Sequence, residues 1–186
     1  ITVIQKLYDR FQFIGKDVIW TPEPGGTPSA EQIRSLLLSV NQYEKMRQDT
    51  ELLLMYAARA QHLERVILPA LAQGKFVLCD RFSDSSFAYQ CAGRGLSRDK
   101  LQLLNTNFVA QMPDITFWLD APIELGMTRA RERGALDRFE QEKVSFFAKV
   151  RSGFEEIHRH EPERMKRLDA TQAPEQVFKD ALSYLN

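Results

Sequence analysis

Lys75-Phe76-Val77-Leu78-Cys79, followed at once by Asp80-Arg81, decides how the rest of the chain is read. The run is short, continuous in its apolar residues rather than alternating, and closed by a charged pair. Such a strand is buried on both faces, as in a parallel sheet covered by helices. The pattern recurs at Val18-Ile19-Trp20 and at Ile115-Thr116-Phe117-Trp118-Leu119, which ends at Asp120. Arg167-Leu168-Asp169 is a shorter final strand.

Between these runs the spacing is helical. Val3, Ile4, Leu7, Phe11 and Ile14 fall on one helix face, with Gly15 placed to end it. Ser29 and Gln32 fit a capping box that opens a helix through Leu38. A polar stretch, roughly Asn41 to Asp49, precedes a long helix from Thr50 to about Ala72. Ser97 caps a helix holding Leu101, Leu104 and Phe108, and Pro122 suits the first turn of one reaching about Arg133. Gly134-Ala135-Leu136-Asp137-Arg138 separates it from a helix holding Val144, Phe147, Val150 and Phe154, and Pro174 to Leu185 forms the last. Alternating strands and helices without an internal repeat predict one α/β domain over residues 1–186, with a parallel central sheet and helices on both faces.

Composition fits a soluble domain: 44% hydrophobic, 27% charged, 25 acidic against 25 basic residues. A net charge of zero argues against nucleic acid or an anionic membrane as the main partner, since both attract surplus positive charge. No run approaches the ~18 apolar residues of a membrane span, and the N-terminus lacks the form of a secretory signal. Cys79 and Cys91 are too few for a disulfide framework and lack metal-site spacing, so they read as reduced thiols of a cytoplasmic protein.

Parallel sheets bind ligands beyond the carboxyl ends of their strands. Three motifs fall there: Glu23-Pro24-Gly25-Gly26-Thr27; Asp80-Arg81-Phe82 with Ser86, Tyr89 and Gln90; and Asp120, whose helix leads to Arg129, Arg131 and Arg133. Each has a plain structural counterpart: a turn, an ion pair or a solvated basic helix. Together they suit phosphoryl transfer, in which guanidinium groups stabilise charge gathering on the moving group. Arg81 is placed to hold a phosphate bidentately, and Arg59 is a further donor one turn after Met55.

Thr21-Pro22-Glu23-Pro24-Gly25-Gly26-Thr27, Asp80-Arg81-Phe82, Tyr89-Gln90-Cys91-Ala92-Gly93-Arg94-Gly95 and Arg129 to Arg138 resemble, in order and spacing, the bacterial thymidylate kinases. The resemblance runs from about Val3 to the C-terminus. It implies the three-layer fold of P-loop nucleoside monophosphate kinases with a mobile lid, about 129–142, and transfer of the γ-phosphoryl of ATP to thymidine monophosphate, Mg²⁺ accompanying the ATP. It also implies roles. Arg81 would hold the acceptor phosphate, and Glu23 and Asp80 would organise that site and the metal's waters. Arg59 would reach the thymine carbonyl, Ser86 and Gln90 would face the base, and Tyr89 would pack on the sugar. Arg129, Arg131 and Arg133 would be the lid arginines, Arg133 the one nearest the transferred group. The family's usual homodimer would use the long helix, which is apolar on more than one face at Leu52, Leu53, Leu54, Val66, Ile67 and Leu68.

Two departures stand out. Where the family places a phenylalanine over thymine, this chain has Met55, with Tyr56 beside it; a thioether can also cover a ring. Gly-x-x-x-x-Gly-Lys-Ser/Thr, the loop whose N–H groups and lysine hold nucleotide phosphates, does not occur. Its place is between Thr2 and Val3, which suggests a glycine-rich loop dropped from the chain there; a normal peptide link of ~1.33 Å would speak against that. Two other readings stay open: a kinase of another nucleotide or nucleoside, and a nucleotide-binding protein without catalysis.

Overall fold

The computed structural model describes residues 2–40 and 44–185. Among them the elements run α1 (Val3–Phe13), β1 (Val18–Pro22), α2 (Pro28–Leu38), α3 (Gln48–His62), α4 (Leu68–Ala72), β2 (Phe76–Asp80), α5 (Ser83–Ser86), α6 (Arg98–Phe108), β3 (Thr116–Asp120), α7 (Ile123–Arg133), α8 (Val144–His160), β4 (Met165–Asp169) and α9 (Pro174–Ser183). The predicted long helix is α3 and α4 joined through a π-helical turn at Leu63–Ile67. A second π-helical segment, Phe87–Gly93, extends α5. No helix was foreseen over that stretch. Asn41 and Ile1 lie outside the described residues.

All strand pairing is parallel. β1 lies on β2, with Val18 opposite Phe76 and Pro22 opposite Asp80. β3 lies on β4, with Thr116 opposite Met165 and Asp120 opposite Asp169. The expected single central sheet is therefore two two-stranded ladders among the described residues. Both nevertheless share one core: Leu78 of β2 and Phe117 of β3 pack with Leu7 and Val3 of α1 and Val177 and Ala181 of α9. Successive strand residues face opposite sides. Val77 and Cys79 accordingly meet Leu63, Ile67 and Phe82, while Trp118 meets Ile157 of α8. Helices thus cover both faces, as the apolar runs required.

Local chemistry explains the helix ends. Thr27, not Ser29, caps α2: its Oγ1 accepts the Ala30 N–H at 3.2 Å, and Pro28 takes the first helical position. Proline fits there because its missing N–H would have had no partner. Ser97 caps α6 as expected. Thr2 caps α1, accepting the Gln5 N–H on its side chain and the Lys6 N–H on its carbonyl at 3.2 Å. A carbonyl that accepts from the fourth residue on is one helical turn away. Thr2 thus closes the first turn of α1.

Candidate acceptor site and lid

Glu23 follows β1 and is 3% exposed. Arg59 of α3 donates from Nε to Glu23 Oε2 at 2.8 Å and from Nη2 to Ser86 Oγ at 3.1 Å. Its guanidinium lies 4.7 Å from the ring centroid of Tyr56 and 5.3 Å from that of Phe82. Arg59 Nη1 is buried without a hydrogen-bond partner. An unsatisfied buried donor is costly in a folded protein.

His62, one turn further along α3, is fully buried. Its Nδ1 faces Glu23 Oε1 at 3.1 Å and its Nε2 faces Thr21 Oγ1 at 2.6 Å. A carboxylate only accepts, so Nδ1 carries a proton and Nε2 is left to the threonine hydroxyl. Gly26 is required beside this ring, because a Cβ there would lie 2.5 Å from His62 Cδ2. The donor atoms of Glu23, His62 and Cys79 lie within 4.8 Å of one another, as metal ligands do. Their hydrogen bonds already occupy both carboxylate oxygens and both ring nitrogens. Burial, reinforced by the Glu23 carboxylate, pushes the Cys79 thiol well up.

Arg81 stands exposed at the end of β2 with a left-handed backbone, φ 70°. Non-glycine residues held in that region are strained, and such strain gathers at functional positions. The Arg81 guanidinium lies 5.1 Å over the Tyr89 ring. That ring is fixed in turn by edge contacts with Phe139, Phe146 and Phe154. Asp80 is exposed beside Arg81. Glu23, Arg59 and Ser86 thus form one bonded cluster and Arg81 and Tyr89 a stacked pair, and the Glu23 N–H donates to the Asp80 carbonyl at 2.8 Å, which sets the ends of β1 and β2 side by side.

Other expected residues are placed differently. Tyr56 is 2% exposed, packs with Leu52, Cys91 and Leu101, and donates its hydroxyl to Asn105 at 2.7 Å. Burial raises its pKa to about 12. Its ring is held in the core, leaving Met55 as the partly exposed member of the pair. Gln90 is 1% exposed and donates to Glu51 Oε1 at 2.9 Å. Glu23 is committed to Arg59 and His62, whereas Asp80 is exposed at the end of β2.

Arg129, Arg131 and Arg133, expected to act from a lid, are exposed and do not converge. Arg129 donates to the Ala170 carbonyl at 2.7 Å, Arg133 pairs with Glu140, and Arg131 points to solvent. α7 has no buried residue, so its arginines take the nearest acceptors. The arm beyond Gly134 is seated instead by a residue with no assigned role in the sequence reading, Arg138, which bonds Glu51 Oε2 at 2.7 Å and the Leu37 carbonyl at 2.7 Å. Glu51 and His62 were missed because polar residues within a helix carry no local signal of burial.

At the ends of β3 and β4, a cavity of about 470 Å³ is lined by Asp120, Ala121, Pro122, Arg151, Arg167, Asp169 and Thr171. Asp120 accepts two hydrogen bonds from Arg151, at 2.7 and 2.9 Å, and two from Arg167, at 3.0 and 2.6 Å. Desolvation lifts its pKa, and these four bonds more than reverse the effect, leaving it below the ordinary aspartate range.

Residues 1–181 match the family model described as thymidylate kinase. The chain is 71% identical over 184 residues to the thymidylate kinase of Acinetobacter baumannii strain AYE, covering 99% of this chain and 92% of that one. It is 48% identical over 180 residues to the thymidylate kinase of Psychrobacter sp. PRwf-1, covering 95% and 86%. Its structure matches a crystal structure of thymidylate kinase from Ehrlichia chaffeensis with a TM-score of 0.80 at 28% identity, over 99% of this chain and 90% of that one. The chain belongs to the thymidylate kinase family.

Proposed function

We infer that the protein transfers the γ-phosphoryl group of ATP to thymidine monophosphate, giving thymidine diphosphate. The observation that carries the acceptor assignment is Arg59, whose guanidinium is fixed by Glu23 and Ser86 and keeps one buried nitrogen unpartnered. A rigid donor of that kind suits the carbonyl of a pyrimidine base. Met55 then covers the base, Tyr89 packs on the sugar, and Arg81 takes the acceptor phosphate at the end of β2. Arg129, Arg131 and Arg133, on an exposed helix ending at Gly134, swing onto the transferred group, where positive charge is worth most.

The donor nucleotide is assigned to the cavity at the ends of β3 and β4, where Arg129 already reaches the Ala170 carbonyl. The divalent ion that accompanies ATP supplies charge neutralisation on the phosphates, and Asp80 is the residue open to its waters. Residues 1–186 contain no Gly-x-x-x-x-Gly-Lys-Ser/Thr, so these residues supply acceptor and lid groups rather than that donor cradle. The protein acts as a single cytoplasmic domain with residues 129–142 as lid, and as a homodimer. Among the described residues, no helix is long and apolar enough to cross a membrane.

The decisive experiment offers the gene product MgATP with a panel of nucleoside monophosphates and nucleosides. Thymidine diphosphate formed in preference to all other products is expected. Preference for a nucleoside or another monophosphate would overturn the substrate, and no product at all would favour a binding protein without catalysis.

A further inference from the structure

Glu51 sits in the first turn of α3, where an acidic side chain usually lies in solvent and complements the helix dipole. Here it is 2% exposed. Gln90 donates to its Oε1 at 2.9 Å, Arg94 to Oε1 at 3.3 Å and to Oε2 at 3.2 Å, and Arg138 to Oε2 at 2.7 Å. The donors come from two regions far apart in sequence. Gln90 and Arg94 belong to the π-helical segment and its end, beside Tyr89. Arg138 belongs to the arm that follows the lid helix.

That arm is seated at several points. The Arg138 backbone N–H donates to the Leu38 carbonyl at 3.2 Å, and its guanidinium rests 4.4 Å from the Phe139 ring centroid. Phe139 is 7% exposed and meets the Tyr89 ring edge-on. Arg94 also pairs with Glu142 on the same arm. One carboxylate therefore ties the wall that carries Tyr89 and Gln90 to the arm that carries the lid.

Stability alone does not account for this arrangement. Replacing a buried ion pair with packed apolar groups is often neutral or stabilising, and this one leaves Arg138 Nη2 buried with no partner. We propose that Glu51 is a positioning residue for phosphoryl transfer: it latches the lid arm through Arg138 and holds Gln90 and Arg94 in place, so that the lid and the acceptor wall take up one geometry together. The proposal rests on the acceptor and lid assignments made above.

Glu51→Gln keeps the shape and the bond to Gln90 while removing the charge that holds the two arginines. The variant is expected to stay folded, with kcat falling about a hundredfold, the loss that follows when reacting groups are misplaced by about 1 Å. Amide hydrogen exchange across residues 135–142 should rise about tenfold while the rest of α3 stays protected. Arg138→Met should reproduce both effects, and the double variant should be no worse than the weaker single one, because the two residues act as a unit. Wild-type kcat with unchanged exchange at 135–142 in Glu51→Gln would overturn the latch, as would fully additive losses. Should Glu51→Gln unfold, Arg138→Met alone decides by the same two readouts. Hydrogen exchange needs no substrate, so a protein that fails to phosphorylate thymidine monophosphate refutes the functional reading while leaving the latch separately testable.

Discussion

Arg59 shows how much can depend on one side chain. It joins Glu23, Ser86 and the rings of Tyr56 and Phe82, and it is 3% exposed. Removing one member of a buried ion pair leaves the other charge without compensation. Arg59→Ala is therefore expected to cost about 3–5 kcal/mol of stability, read as a shift in the urea midpoint, and to weaken binding of thymidine monophosphate in calorimetry. Arg59→Lys should recover part of the stability but little of the binding, since a point charge cannot reproduce the guanidinium fork. A stability loss below about 1 kcal/mol for the alanine variant would match a solvated surface pair and contradict the buried site. Arg59 stood out in the sequence by its one-turn spacing from Met55. Its partners were not, because Glu23 is 36 residues away and Ser86 is 27.

At the scale of elements, α8 is the backing on which the π-helical segment Phe87–Gly93 rests. Phe146 and Val150 of α8 pack on Ala88 and Tyr89 of the π-helical segment, and Gly153 allows close approach at the next turn. A Cβ at Gly153 would lie 2.8 Å from Ala92 Cβ and 2.9 Å from Ala88 Cα. In an open helix, glycine to alanine gains up to about 1 kcal/mol. Here the contact with backbone reverses the sign, and Gly153→Ala should destabilise by about 1–3 kcal/mol, seen as a lower melting temperature. Because the displaced segment carries Tyr89, KM for thymidine monophosphate should rise more than kcat falls. A more stable variant with unchanged KM would show that the two elements do not pack so closely. α8 itself was readable from Val144, Phe147, Val150 and Phe154, whereas the π-helical segment it supports was not, since its geometry depends on that support.

For the whole molecule, the proposed dimer draws on apolar surface that the monomer leaves open. Leu52 and Tyr56 of α3 pack with Leu101 and Leu104 of α6, which places the two helices side by side. Their outer faces carry Leu53, 58% exposed, and Leu103 and Phe108, 65% and 53% exposed. Exposed apolar side chains gathered on neighbouring elements mark a surface suited to association. The protein is expected to sediment as a dimer at micromolar concentration, with Leu53→Glu shifting it toward the monomer. A wild-type monomer at that concentration would refute the assembly. The sequence already showed α3 to be apolar on more than one side, but Leu52 turned out to be core and Leu53 surface, a division set by where α6 lies.

By itself the sequence determined the order of strands and helices, the parallel and doubly covered character of the strands, and the places where ligand-binding motifs fall. Those features rest on local chemistry: apolar runs, turn residues and the missing N–H of Pro28 and Pro174. Only the tertiary structure decided which charges pair. Glu51 meets Arg138 across 87 residues and Asp84 meets Arg164 across 80, pairings that no local pattern encodes. It also decided that Gln90 meets Glu51, that Tyr56 belongs to the core, and that the strands form two ladders over one shared core. Hydrogen bonds and ion pairs act through space, so their partners are set by packing, while periodicity along the chain reports only which face of each element will be buried.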